Sequence, residues 1–304
     1  MDASPAIRIL GSAAGGGFPQ WNCRCPVCQL AWAGDSRVKP RTQSSLALKG
    51  NDGTWVLVNA SPDIRQQIMA NPPLHPQGGL RHSPIAAVVL TNADVDHVAG
   101  LLGLRERWPL KVLATSHVLE ALRRNPVFQV MADDVVKRIE VQPDQPFSPA
   151  PGIELELFSV PGKAPLWGEG ETVETEIDDG RTVGVSIEAG SGRKALYIPG
   201  CAAMTEALRH RIKGATLVFF DGTLFTDDEM IRLGLGPKTG RRMGHMPVSG
   251  PGGTLEAFST LEVRQKVFLH INNSNPMIVD GSPEHQQVTA AGWVVAEDGM
   301  EFTP

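Results

Sequence analysis

Among the 304 residues no apolar run reaches 18, so nothing in the sequence has the length of a bilayer-crossing helix. Positive charge is not in excess either. The 28 Lys and Arg stand against 33 Asp and Glu, and a formal net charge of -5 argues against a general affinity for nucleic acid. The first residues, Met1-Asp2-Ala3-Ser4-Pro5, lack a basic segment leading into an apolar one, so the expectation is no secretory signal and a cytoplasmic protein. Cysteine is scarce at four, and three of the four crowd into positions 23–28, a spacing that suits a metal site and not a disulfide framework. Internal repeats and long low-complexity tracts are also missing. What is plentiful is glycine, at 32, and proline, at 24, which implies many tight loops between short elements. A hydrophobic share of 41% with 20% charged residues describes a globular chain, long enough for one large domain or two modest ones.

The stretch with the most chemistry is Leu90-Thr91-Asn92-Ala93-Asp94-Val95-Asp96-His97-Val98-Ala99-Gly100. It follows Ile85-Ala86-Ala87-Val88-Val89-Leu90, which reads as a buried strand, and precedes Leu101–Trp108, which reads as a short helix. Ligand sites of open α/β sheets gather at such carboxyl ends. Asn92, Asp94, Asp96 and His97 can therefore converge on one point, and carboxylate with imidazole is a metal-binding mixture. A single Asp here would be read as a cap or turn residue; four such groups in six positions favour a site.

Other strand tips carry polar groups too. Ile153–Phe158 and Val183–Glu188 alternate with period two, Ala195–Ile198 ends in Pro199-Gly200-Cys201, Leu217–Phe220 in Asp221, and Val267–Leu269 in His270. His97 and His270 are the two histidines at core-strand tips, and His245 lies on a Gly244–Pro247 loop expected to be exposed. Arg41–Lys49 and Thr54–Asn59 form an expected hairpin. Ser61-Pro62-Asp63 reads as the cap and first turn of a helix that carries Arg65. Trp293–Ala296 is expected to be the last strand. The loop Trp21–Cys28 holds Cys23-x-Cys25-x-x-Cys28, three thiolates that can wrap one tetrahedral zinc and need a fourth ligand from elsewhere.

The strand order, the Asp-His after a core strand and the late His together resemble the metallo-β-lactamase fold. That resemblance implies a four-layer αββα sandwich and a single domain over 1–304, with a zinc-binding loop around 21–28. The usual His-x-His-x-Asp-His signature reads Asn92-x-Asp94-x-Asp96-His97 here, Lys163 holds the place of the next His, and Gly200 that of the bridging Asp. The cysteine loop resembles the phosphonate-pathway phosphodiesterase branch, whose structural zinc is completed by a His three residues beyond the terminal site His. Position 273 is Asn in this chain, so Asn273 is the expected fourth ligand and Cys201 its rival. The Gly15-Gly16-Gly17-Phe18-Pro19-Gln20-Trp21-Asn22-Cys23 run, the Thr91–Gly100 run, Gly244-His245-Met246-Pro247-Val248-Ser249-Gly250 and Leu269-His270-Ile271-Asn272-Asn273-Ser274-Asn275-Pro276 are similar to the pyrroloquinoline quinone biosynthesis B family.

The departures shape the implied chemistry. A hydrolase of this fold typically holds two zinc ions about 3.5–4 Å apart. Here the remaining set is His97, His270 and a carboxylate from Asp94 or Asp96, the two-His-one-carboxylate arrangement of non-haem iron(II) oxygenases. The family resemblance implies a Glu-Tyr-derived intermediate as substrate, molecular oxygen as co-substrate and an iron ion as the expected active-site metal; zinc, manganese and copper suit the same ligands. Arg65, Asn92, Lys163 and His245 are the expected substrate-side residues, and Asp221 an acceptor that orients a ligand His. The resemblance also implies other proteins of the quinone pathway as partners. Two other functions stay in view: a one-metal hydrolase of the precursor peptide, and a carrier that escorts the finished quinone.

Overall fold

The computed structural model describes residues 6–168, 174–189 and 192–304. Two seven-stranded mixed sheets lie face to face. The first contains β1 (Ile7–Gly11), β2 (Ser45–Lys49), β3 (Trp55–Val58), β4 (Ile85–Val89), β5 (Leu110–Ala114), β6 (Val136–Glu140) and, from the far end of the chain, β14 (Glu301–Phe302), in the order 14-1-2-3-4-5-6. The second contains β7 (Pro146–Ala150), β8 (Ile153–Ser159), β9 (Val183–Ala189), β10 (Arg193–Ile198), β11 (Leu217–Asp221), β12 (Gln265–Leu269) and β13 (Trp293–Val295), in the order 13-12-11-10-9-8-7. Each sheet begins with antiparallel pairings and ends with parallel ones: β3 to β6 run parallel in the first, β10 to β13 in the second.

Period-two alternation sorts the strand residues between layers. Val89, Leu155, Leu157, Val185, Tyr197, Phe219 and Val267 fill the space between the sheets. Val88 and Val112 face outward beneath Ile64, Leu101, Val118 and Leu122. Val218, Phe220 and Phe268 face outward on the other side, beneath Leu208, Ile212 and Val288. The helices behind these residues are α2 (Ile64–Ala70), α3 (Val95–Val98) and α4 (Ser116–Arg124) on one face. On the other lie α1 (Pro26–Trp32), α5 (Glu206–Ile212), α6 (Glu229–Arg232), α7 (Thr254–Ala257) and α8 (Pro283–Ala290). This is the αββα sandwich. No helix among the described residues is long and apolar enough to cross a membrane.

Several local expectations need correction. Leu101–Trp108 is not an α-helix. The helical turn starts inside the polar motif at Val95, with Asp94 at the cap position, and passes into a 3-10 segment at Ala99–Leu104. Gly100 rests on the backbone of Ala60 and Ser61, where a Cβ would lie 2.1 Å from the Ser61 carbonyl, so the chain turns tightly there. Ser61 does not cap α2. The cap position is Asp63, whose carboxylate accepts from the Gln43 backbone and side-chain amides, and the Ser61 hydroxyl is buried without a hydrogen-bond partner. The 244–247 loop is not exposed, since Met246 and Pro247 are buried. The last strand is β14, which closes on β1.

Candidate metal centres

The carboxyl ends of β4, β11 and β12 meet at one place. His97 comes from α3, immediately after β4, and its ring centroid lies 5.3 Å from that of His270 at the end of β12. Both rings are buried. Asp96 Oδ2 is 3.0 Å from His270 Nε2 and 3.8 Å from His97 Nε2. Asp94 is not part of this cluster, so of the two candidate acids Asp96 is the one that faces both imidazoles.

Hydrogen bonds around the rings decide their tautomers. Asn92 Oδ1 accepts from the Asp94 backbone N–H at 3.0 Å, which identifies that atom as the oxygen, and it lies 2.7 Å from His97 Nδ1. His97 Nδ1 therefore carries the proton and Nε2 presents a lone pair. That Nε2 is buried and has no hydrogen-bond partner. Thr223 donates its hydroxyl to Asp221 Oδ1 at 2.6 Å and so accepts from His270 Nδ1 at 2.9 Å. In the neutral imidazole His270 Nε2 is then also a lone pair, facing a carboxylate oxygen. Two acceptors 3.0 Å apart require a proton or a cation between them. The donor set Asp96, His97 and His270, with its orphaned nitrogen, fits a divalent metal.

The electrostatics agree with this. Burial holds His97 neutral, its pKa lowered to about 4 despite the nearby Asp96 carboxylate. Burial by itself would raise Asp96, but the His97 and His270 imidazoles, protonated in the acid range where Asp96 titrates, outweigh it, so its pKa is lowered and the carboxylate is ionised. His270 moves the opposite way: burial is opposed by Asp96, and its pKa is raised. Such an imidazole holds a proton until a metal displaces it.

A second group adjoins the first. His245 Nδ1 donates to Asp221 Oδ2 at 2.7 Å, and its ring stacks on His270 at 5.2 Å. Asp221 is fully buried and also accepts from the backbone N–H groups of Cys201 and Thr223. Asp221, His245 and His270 place their ligand atoms within 4.8 Å of one another. His245, read from the sequence as a substrate contact, thus lies beside a ligand imidazole. Asn92 is likewise bonded to His97. Lys163 runs along Gly244, next to His245, and donates to the Ala164 carbonyl at 3.1 Å. Arg65 is exposed on α2 and takes no part in either cluster. Thr223 and Gly15 were not singled out from the sequence. Thr223 stands two residues beyond Asp221 at a strand tip, a signal that was there to read. Gly15 carries only the signal of its 11–17 glycine loop, which reads as a close approach of backbone to a site, and a methyl group placed on it would touch the Asp96 carboxylate at 3.6 Å.

The three clustered cysteines put their sulfurs within 4.8 Å of one another and are all buried. Asn273 closes the cluster, its side-chain Nδ2 lying 3.1 Å from Cys23 Sγ and 3.3 Å from Cys28 Sγ. A metal there would meet the amide oxygen after a half-turn of the side chain. Cys201 lies elsewhere, donating its backbone N–H to Asp221, its own sulfur against the Ala203 carbonyl.

Comparison with known proteins places this geometry. Residues 54–271 match the β-lactamase superfamily domain. Coenzyme PQQ synthesis protein B of Methylobacterium sp. (strain 4-46) is 56% identical over 97% of this chain and 98% of its own length. A crystal structure of Zn(2+)-bound PqqB from Methylobacterium extorquens, 55% identical, superposes with a TM-score of 0.95 over 98% of this chain and all of that one. A diphosphatase of the PhnP family shares the fold at 19% identity, with a TM-score of 0.69 over 99% of this chain and 98% of that one. With more than half of its residues shared over nearly the full length, and with the same fold, the chain belongs to the coenzyme PQQ synthesis protein B family of the β-lactamase superfamily.

Proposed function

We propose that this protein, acting as one domain over 1–304, takes part in pyrroloquinoline quinone biosynthesis as a metal-dependent oxygenase that hydroxylates the tyrosine-derived ring of a Glu-Tyr intermediate. The observation that carries this reading is the convergence of two lone-pair imidazole nitrogens, His97 Nε2 and His270 Nε2, on the Asp96 carboxylate. Iron(II), if held by Asp96, His97 and His270, would supply oxygen activation.

The chain's own residues do the rest. Asp96, His97 and His270 hold the ion. Asn92 and Thr223 fix the two tautomers, and Asp221 keeps His245 oriented beside His270. Lys163 lies beside Gly244 and so next to His245, the side from which it would meet a substrate carboxylate. Cys23, Cys25, Cys28 and Asn273 would hold a structural zinc that ties the 23–28 segment to the 270–275 stretch.

The test is anaerobic reconstitution with iron(II), followed by oxygen, a two-electron reductant such as ascorbate, and the Glu-Tyr diamino acid, so that for each hydroxylation one atom of dioxygen enters the ring and the other leaves as water. The expected product gains mass in steps of one oxygen atom, and the His97→Ala and His270→Ala variants give no gain. Unchanged substrate overturns the reading. A second reading is favoured by the superfamily match and by the zinc in the relative: a zinc hydrolase of the precursor peptide, using the same three ligands. It predicts zinc-dependent cleavage without oxygen.

A further inference from the structure

The cysteine cluster and the histidine centre share two stretches of chain. The first is 12–28. At its start Ala14 N–H donates to the Ile271 carbonyl and Ile271 N–H to the Ser12 carbonyl, both at 2.9 Å. Gly15 then passes the Asp96 carboxylate, and the stretch ends in the three cysteines. The second is 270–275. It starts at His270, whose φ of +54° is a left-handed conformation that a non-glycine residue adopts only when its surroundings hold it. Three residues on, Asn273 faces all three sulfurs. Ser274 then donates to the buried carboxylate of Glu229 at 2.5 Å. Asn275 Nδ2 donates to the Gly222 carbonyl at 2.9 Å, and so grips the turn that carries Thr223, the partner of His270 Nδ1.

We propose that these two stretches form a link between the sites, so that filling the cysteine cluster with metal tightens metal binding at the histidine centre. The proposal rests on the metal assignments made above. When the three thiolates close on an ion with Asn273, they staple 23–28 to 273. Asp96 and His270 lie against the other ends of the same two stretches. Without the staple, the left-handed turn at His270 loses one of its anchors, and the remaining ordering becomes part of the cost of binding at the histidine centre. Ser274 and Glu229 act as positioning residues that keep the connection short and stiff.

The experiment uses the wild-type metal-free protein. One equivalent of Cd(II), a thiophilic ion, is added or omitted, and filling of the cysteine cluster is followed by its thiolate charge-transfer absorption. Co(II) is then titrated and the histidine centre read from its visible d–d bands. The expected result is Co(II) binding at least about fivefold tighter with cadmium present, and by linkage the same factor for cadmium when cobalt is bound. In Ser274→Ala the cluster should still take cadmium while the cobalt affinity responds less. Equal cobalt affinities at the histidine centre of cadmium-loaded wild type and of Cys23→Ser/Cys28→Ser, whose cluster cobalt cannot fill, overturn the link while leaving two independent metal sites. Failure of cobalt to bind in either state overturns the histidine-centre assignment, and the link with it.

Discussion

Each ligand at the histidine centre depends on one neighbour that sets its proton. Asn92 is committed as an acceptor by the Asp94 amide, and Thr223 is committed by Asp221, so neither imidazole can turn its Nδ1 towards the centre. Asn92→Ala and Thr223→Val should each weaken metal binding by about 10–100-fold without unfolding the protein. Competition with a coloured chelator, alongside far-UV circular dichroism, checks both parts. Glu229 makes a different prediction. Burial raises its carboxyl above the unfolded value near 4.5, against the pull of the Ser274 hydroxyl and the Phe225 amide. An acid raised in the folded state binds a proton that the unfolded chain releases, so its contribution to stability declines as pH rises from the unfolded pKa through the folded one. Glu229→Gln keeps an acceptor for Phe225 and cannot ionise. Its stability relative to wild type should therefore improve as the pH is raised above the unfolded value near 4.5 in urea melts, and a difference that does not change with pH would contradict the account.

At the scale of elements, the segment 296–302 fastens the chain's end to its beginning. Asp298 accepts from the backbone N–H and hydroxyl of Ser12 through one oxygen and from the same two groups of Thr42 through the other. These bonds hold the turn after β1 and the approach to β2, and Ser12 in turn anchors Ile271 beside His270. Removing the acceptor leaves buried donors unpaired, at about 1–3 kcal/mol for each that finds no water. Asp298→Ala should lower the urea midpoint with little change in slope, and should loosen metal binding as well. A variant as stable as wild type would show that water replaces the carboxylate. The edge strands show why some elements were hard to read. β6 and β7 end their sheets, carry charge or two prolines, and bury little on their outer sides, so they lack the apolar runs that mark interior strands.

Over the whole molecule, the inter-sheet core keeps the strand tips in register, and the site is only as well formed as that core. Phe219 is completely buried there and meets Phe302 of β14 edge to face at 5.2 Å. Phe219→Ala should cost about 3–5 kcal/mol in unfolding free energy by denaturant titration, and a value under about 1 kcal/mol would mean that the layers repack freely around the gap.

The sequence by itself determined the interior strands, because their apolar runs and period-two alternation are local. It also marked the Asp96-His97 pair and the three clustered cysteines, whose groups are neighbours along the chain. Full membership of the site was decided by tertiary structure. Asp96 differs from Asp94 only in the direction it takes from the turn that starts α3, and His245 is set apart from other loop histidines by its bond to Asp221 and its stacking on His270. Asn273 lies 245 to 250 residues along the chain from the cysteines it closes. A local pattern reports which face of an element is apolar; which strand tips meet depends on how the sheets pair and stack, and that ordering is a property of the packed core.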